Sequence, residues 1–174
     1  GFDVNDIPVY DLEYLFIKLR SVSVSNIVKF SVEDSDDGIT YDLEANLDEV
    51  EVNFPADHDN KIMITDDVGV VLRAPTPQLA EQIKGMTDIA DIIYETIKHS
   101  IDMIFDDNDT YPWDQEPNAN KDTFLDSLPL ESYNKLGKFF ETAPKIEYVV
   151  TYENSKGKEK RVVFRSITDF FMLG

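Results

Sequence analysis

The chain has 174 residues, 35 Asp/Glu against 16 Lys/Arg for a net charge of −19, and no cysteine. That length suits one domain able to bury a real core. The 42% hydrophobic and 11% aromatic content argues against wholesale disorder. A disulfide framework and a thiolate metal site are excluded, in keeping with a reducing cytoplasm, and neither a membrane-length apolar run nor a signal-peptide pattern is present.

Asp6-Ile7-Pro8 opens a helix through Arg20, with Asp6 as the expected cap. Leu12, Leu15, Phe16 and Leu19 recur at three- and four-residue spacing and give it one apolar face. Ser23–Val32 and Ile39–Leu43 alternate and are β-branched. They predict a hairpin with the tip Glu33-Asp-Ser-Asp-Asp-Gly38. Leu47–Val52 adds a short strand and Asn53–Asn60 a polar loop. The block KIMITDDVGVVLRAPT, Lys61–Thr76, predicts a strand pair around Asp66-Asp67, with Ile62, Ile64, Val68, Val70 and Leu72 in the core.

Pro75 and Pro77 stop the strand, and Pro77 suits the first turn of a short helix through Lys84. Asp88–Phe105 predicts the strongest helix, capped by Asp88. Its row of Ile89, Ile93, Ile97, Ile101 and Phe105 recurs every fourth residue, with Ile92 and Ile104 alongside. Asp106–Asn120 predicts a long acidic loop carrying Tyr111 and Trp113, the only tryptophan. Helices follow over Lys121–Leu128 and Leu130–Thr142, the second with Tyr133, Leu136 and Phe140 inward. A hairpin over Ile146–Tyr152 and Lys160–Phe164 turns on a polar tip, and a terminal helix starts at Ser166 with Asp169 as its box partner. The predicted class is α+β, antiparallel hairpins packed with about five helices.

Charge is unevenly spread. Residues 1–120 hold 27 Asp/Glu against 7 Lys/Arg, and residues 121–174 hold 8 against 9. Such a surface repels phosphate backbones and anionic membranes, so neither nucleic acid nor membrane is an expected partner. It either keeps the protein solvated or steers it to a basic partner patch.

No enzyme is expected. His99, Ser100 and Asp102 contain the residue types of a hydrolase triad, but helix neighbours do not face one another. Glu33–Glu44 imitates a calcium loop, yet starts on Glu and is flanked by strands. His58, between Asp57 and Asp59, lacks further ligands, and there is no glycine-rich phosphate loop. No catalytic, cofactor or metal residue is assigned. The basic tip Lys156, Lys158, Lys160 and Arg161 lacks the interleaved aromatics of an RNA reader. Tyr111 and Trp113 read equally as partner anchors or as residues that fold back to pin their loop. Tyr111, Trp113, Lys158 and Arg161 are the partner-contact candidates.

Three blocks carry a resemblance: DIPVYDLEYLFIKLRSVSV, KIMITDDVGVVLRAPT and FLDSLPLESYNKLGKFFETAPKIEYVV. In this order and spacing the chain resembles the baseplate hub proteins of T-even-type contractile-tailed phages and their marine relatives. The resemblance implies a single hub-type domain over residues 1–174, lacking a natural N-terminal segment, with residues 145–165 a C-terminal hairpin appendage. It implies a non-enzymatic structural, scaffold or chaperone role in tail morphogenesis, without cofactor. The implied partners are other phage baseplate hub proteins, met in the host cytoplasm during assembly and in the tail baseplate. Some members carry cysteine pairs at the two hairpin tips, a structural zinc arrangement. This chain has no cysteine there, so no zinc is expected. The acidic tip over 33–38 and the basic tip over 153–159 are instead expected to meet. The alternatives are an acidic nucleic-acid mimic that binds a basic host protein, and a metal-dependent binder using the Asp-rich loops.

Overall fold

The computed structural model describes residues 3–172. It is α+β, with six α-helices and nine strands among the described residues. The chain divides into two compact units, where the sequence suggests one domain with an appendage. The first holds residues 1–9 and 55–143, the second residues 10–54 and 144–174.

The second unit begins with helix α1 (Val9–Ser23), which runs slightly past the expected Arg20. Asp6 does not cap it. Asp6 lies in a preceding 3-10 turn, Val4–Asp6, which Asp3 caps through the Asn5 N–H. Strands β1 (Ile27–Glu33) and β2 (Thr40–Asn46) form the expected hairpin. The predicted Leu47–Val52 strand is instead a 3-10 turn, Leu47–Glu49, with Asn46 as its cap, followed by β3 (Glu51–Asn53).

The late hairpin, β8 (Lys145–Glu153) with β9 (Glu159–Phe164), is not peripheral. Strand β3 pairs with β8, so the sheet runs β3-β8-β9. Ile146 and Phe164 sit in the core with Ile17, Val28, Phe30, Leu47, Val50 and Phe170. Phe164 stacks on Phe170 of α6 (Ile167–Met172) at 4.7 Å and meets Phe30 edge-on at 5.2 Å. Asp169 accepts hydrogen bonds from the Arg165 and Ser166 N–H groups, satisfying donors at the start of α6.

The first unit is built on the sheet β4 (Lys61–Met63), β5 (Gly69–Leu72), β6 (Ile101–Phe105) and β7 (Thr110–Pro112). The KIMITDDVGVVLR strand pair is therefore present, with Ile64, Val70 and Leu72 buried. Helix α2 (Pro77–Gln82) starts on its proline as expected.

The predicted Asp88–Phe105 helix splits. Helix α3 (Ile89–Ser100), capped by Asp88, ends at Ser100, and Ile101 turns the chain into β6, which pairs with β5. A row spaced by four cannot separate a helix from a helix followed by an apolar strand. The expected acidic loop is likewise ordered, containing β7, a 3-10 turn at Trp113–Gln115 and the start of α4 (Asn118–Asp126). Helix α5 (Leu130–Glu141) completes the unit. Its core gathers Ile64, Val70, Leu72, Ile97, Ile101, Trp113, Leu125, Leu136 and Phe139. No helix among the described residues is long and apolar enough to cross a membrane.

Candidate functional site

The two hairpin tips meet, as their charges lead one to expect. Each turn is closed by two backbone hydrogen bonds and a glycine, the first tip being one residue longer. Asp34 N–H donates to Ile39 O and Gly38 N–H to Asp34 O. In the other tip Asn154 N–H donates to Lys158 O and Gly157 N–H to Asn154 O. Gly38 at φ 73° and Gly157 at φ 71° take the left-handed conformation that closes each turn.

Asp34, 2% exposed, is the centre of the clasp. It accepts from Tyr152 OH at 2.9 Å and lies 3.6 Å from Lys160 Nζ. Asp37 accepts from the Ser155 hydroxyl at 2.7 Å and from Tyr41 OH at 2.8 Å. Asp36 pairs with Lys158 at 3.2 Å and Lys160 at 2.9 Å.

These contacts shift the three carboxyls downward. Desolvation raises Asp34, but the Asp36 N–H, Tyr152, Asn154 and Lys160 outweigh it. Desolvation also raises Asp37, outweighed by the Ile39 N–H, Ser155 and Tyr41. Asp36 is lowered by its hydrogen bonds from Lys160 and Lys158. The clasp uses its charges internally. Lys158, expected to face a partner, is engaged with Asp36, while Arg161 is exposed on β9, opposite Thr151.

Trp113 does not present its ring to solvent. It is 3% exposed, and its Nε1 donates to Lys98 O at 2.8 Å, so of its two readings the core-pinning one describes its place. Tyr111 is exposed on β7, its hydroxyl donating to Asp106 at 3.2 Å. His58 packs on Phe139 and shares a hydrogen bond with Thr142. His99 meets Thr76, Ser100 is buried, and Asp102 pairs with Arg73, so the three residues do not converge. No group of three or more potential metal ligands occurs among the described residues.

The principal surprise is α1. Its apolar face points out: Leu15, Phe16 and Leu19 are exposed and Val22 is 82% exposed. The inward face is Tyr14 and Ile17. It is fixed by Lys18 donating to Leu47 O and Asp48 O, and by Ser21 bonding Asp48. The sequence shows this stripe without setting its direction. The late-hairpin core needs only the Ile17 side, and the polar anchors to the 47–49 turn set the rotation. The stripe Leu12, Leu15, Leu19, Val22 has the alternating three- and four-residue spacing of a helix-pairing seam.

A second apolar surface lies between α3 and α5. Ile89, Ile93 and Leu130 are exposed beside an open groove of about 890 Å³. From the sequence, Ile89 and Ile93 read as one helical row with Ile97, Ile101 and Phe105. Only the C-terminal part of that row, Ile97 and then Ile101, reaches the core.

The fold thus combines a strongly acidic composition with exposed apolar residues on two helix faces, of α1 and of α3 with α5. The chain belongs to the family described as T4 bacteriophage base plate protein, which matches residues 2–172. No curated protein and no solved structure matches it.

Proposed function

We propose that this baseplate protein is a hub subunit or hub-assembly factor that works by protein–protein contact and performs no chemistry. The observation that carries the reading is the outward apolar face of α1, exposed at Leu15, Leu19 and Val22, in a member of a multi-protein assembly family. Its partners are other hub proteins of the same phage, met in the host cytoplasm while the tail is built. The net charge of −19 favours basic partner faces and opposes nucleic acid.

The test is Leu15→Glu with Leu19→Glu. Both side chains are exposed, so far-UV circular dichroism and melting should stay close to wild type. Pull-down of the hub proteins and production of tailed particles should be lost. Full particle yield from the double variant would overturn the reading, as would pull-down of host DNA-binding proteins in place of phage proteins. Mass spectrometry of mature virions reports whether the protein stays in the baseplate.

A further inference from the structure

We propose that the α3–α5 groove is a receptor for a basic amphipathic helix of a partner protein. The groove is apolar along its length, walled by Ile92, Ile93 and Ile97 on one side and by Leu130, Tyr133 and Phe140 on the other. Three of its polar side chains are already used, which leaves Asn134 and Glu141. Tyr133 OH donates to Leu125 O, Tyr94 OH to Asp122, and Thr96 Oγ1 to Ile92 O. A small polar ligand would therefore find few groups to recognise it, whereas an apolar helix face needs none.

The dimensions suit that occupant. Helix α5 has 12 residues, about 18 Å, or roughly three turns of a docked helix with anchors at i, i+3 or i+4 and i+7. At Gly137 an added Cβ would meet nothing within 4 Å, so the groove there is open down to the backbone. A third helix can approach closely at such a point, as helix packing at short interaxial distance requires.

Charge selects the sign of the occupant. No Lys or Arg lines the groove, while Glu141 does. The wall helices α3 and α5 together carry four carboxylates against three lysines. The unit that holds the groove has 20 Asp/Glu against 7 Lys/Arg, so the attraction comes chiefly from the unit as a whole. A helix whose apolar stripe is flanked by Lys and Arg is attracted here. A second copy of this chain, also strongly acidic, is repelled.

This inference rests on the contact role proposed above only in taking the occupant to be a protein. Its test is independent of particle assembly. The probe is a fluorescein-labelled Leu/Lys peptide of about 18 residues with Leu on one helical face. One control is a scrambled isomer of equal charge, and another has Glu in place of Lys. Fluorescence polarisation is read with the full chain in about 0.15 M salt.

The amphipathic basic peptide should bind at least about tenfold more tightly than either control. Ile93→Asp should cost at least about tenfold. Gly137→Leu, which fills the groove, should block binding, whereas Gly137→Ala serves as the folding control and should keep most of it. Equal binding of the scrambled isomer, or wild-type affinity in folded Gly137→Leu, would overturn the proposal. So would a self-association in sedimentation equilibrium that Gly137→Leu abolishes, since the occupant would then be a second copy. Failure here with particle assembly still dependent on Leu15 and Leu19 would remove the groove and leave the hub role standing.

Discussion

Gly69 offers the sharpest test of the first unit's sheet. It lies on β5 directly opposite Phe105 of β6, whose ring folds over the bare backbone. An added Cβ would meet Phe105 Cζ at 2.2 Å and Cε1 at 2.7 Å. Favourable carbon contacts lie at roughly 3.5–4.0 Å, so the ring must swing away. It would then leave Lys61, whose Nζ sits 4.4 Å from the ring centroid, a contact worth about 0.5–1 kcal/mol.

Gly69→Ala gains about 0.4–1 kcal/mol from a less flexible unfolded chain and loses about 1–3 kcal/mol to overpacking. The movable ring places the loss in the lower half of that range. The expected net is a destabilisation of about 1 kcal/mol, a melting shift of about 2–4 °C for a chain of this size. In a Phe105→Ala background the clash is gone, and the same substitution becomes neutral or stabilising. The coupling, about 1 kcal/mol or more, is read from a double-mutant cycle in urea. Hydrogen exchange of the β5 and β6 amides ensures that this unit's own unfolding is followed. A Gly69→Ala effect equal in both backgrounds would refute the account of ring against backbone.

Trp113→Phe should cost about 1–3 kcal/mol, because the Lys98 carbonyl loses its indole donor inside the fold. In the wild type the lone tryptophan should emit at the short wavelengths of a buried indole and shift red only on unfolding, and a solvent-like native spectrum would contradict its placement. Lys158→Glu with Lys160→Glu should lower the melting temperature of the second unit. The deficit should be larger at low salt than at high salt, and an unchanged low-salt melt would show that the tips are not coupled.

Acid should open the clasp. Asp34, Asp36 and Asp37 have folded-state values below their ordinary one, so their contribution is fully present above about pH 4 and is lost as pH falls through the lowered values. Exchange protection of the tip amides Ser155 and Gly157 should fall in that window. Asp37→Asn should flatten the dependence for Ser155, and an identical profile in the variant would count against Asp37 as the group responsible.

Much of the fold was legible because local rules act within a few residues. Alternation with glycine at the turn marked the β1–β2 and β8–β9 hairpins, Pro77 marked the start of α2, and Asp88 the start of α3. Opposite charge at two matched tips foretold the clasp, and three ordered blocks foretold the baseplate family. The sequence by itself thus determined most element types, the main hairpins, the acidic composition and the family.

Direction needed the tertiary structure. A stripe of Leu and Phe on α1 states that the helix has an apolar side, but not that Lys18 and Ser21 tie its opposite edge to the 47–49 turn. The row from Ile89 to Phe105 fits a single helix until β5 supplies the hydrogen bonds that make Ile101–Phe105 a strand. Trp113 in an acidic stretch gave two equal readings until the Lys98 carbonyl was found beside it. The α3–α5 groove exists only because two helices far apart in sequence leave Gly137 and Ile93 uncovered together. Hydrophobic periodicity records which residues avoid water. Which of them the chain covers itself, and which it leaves for another molecule, depends on long-range packing that no local pattern contains.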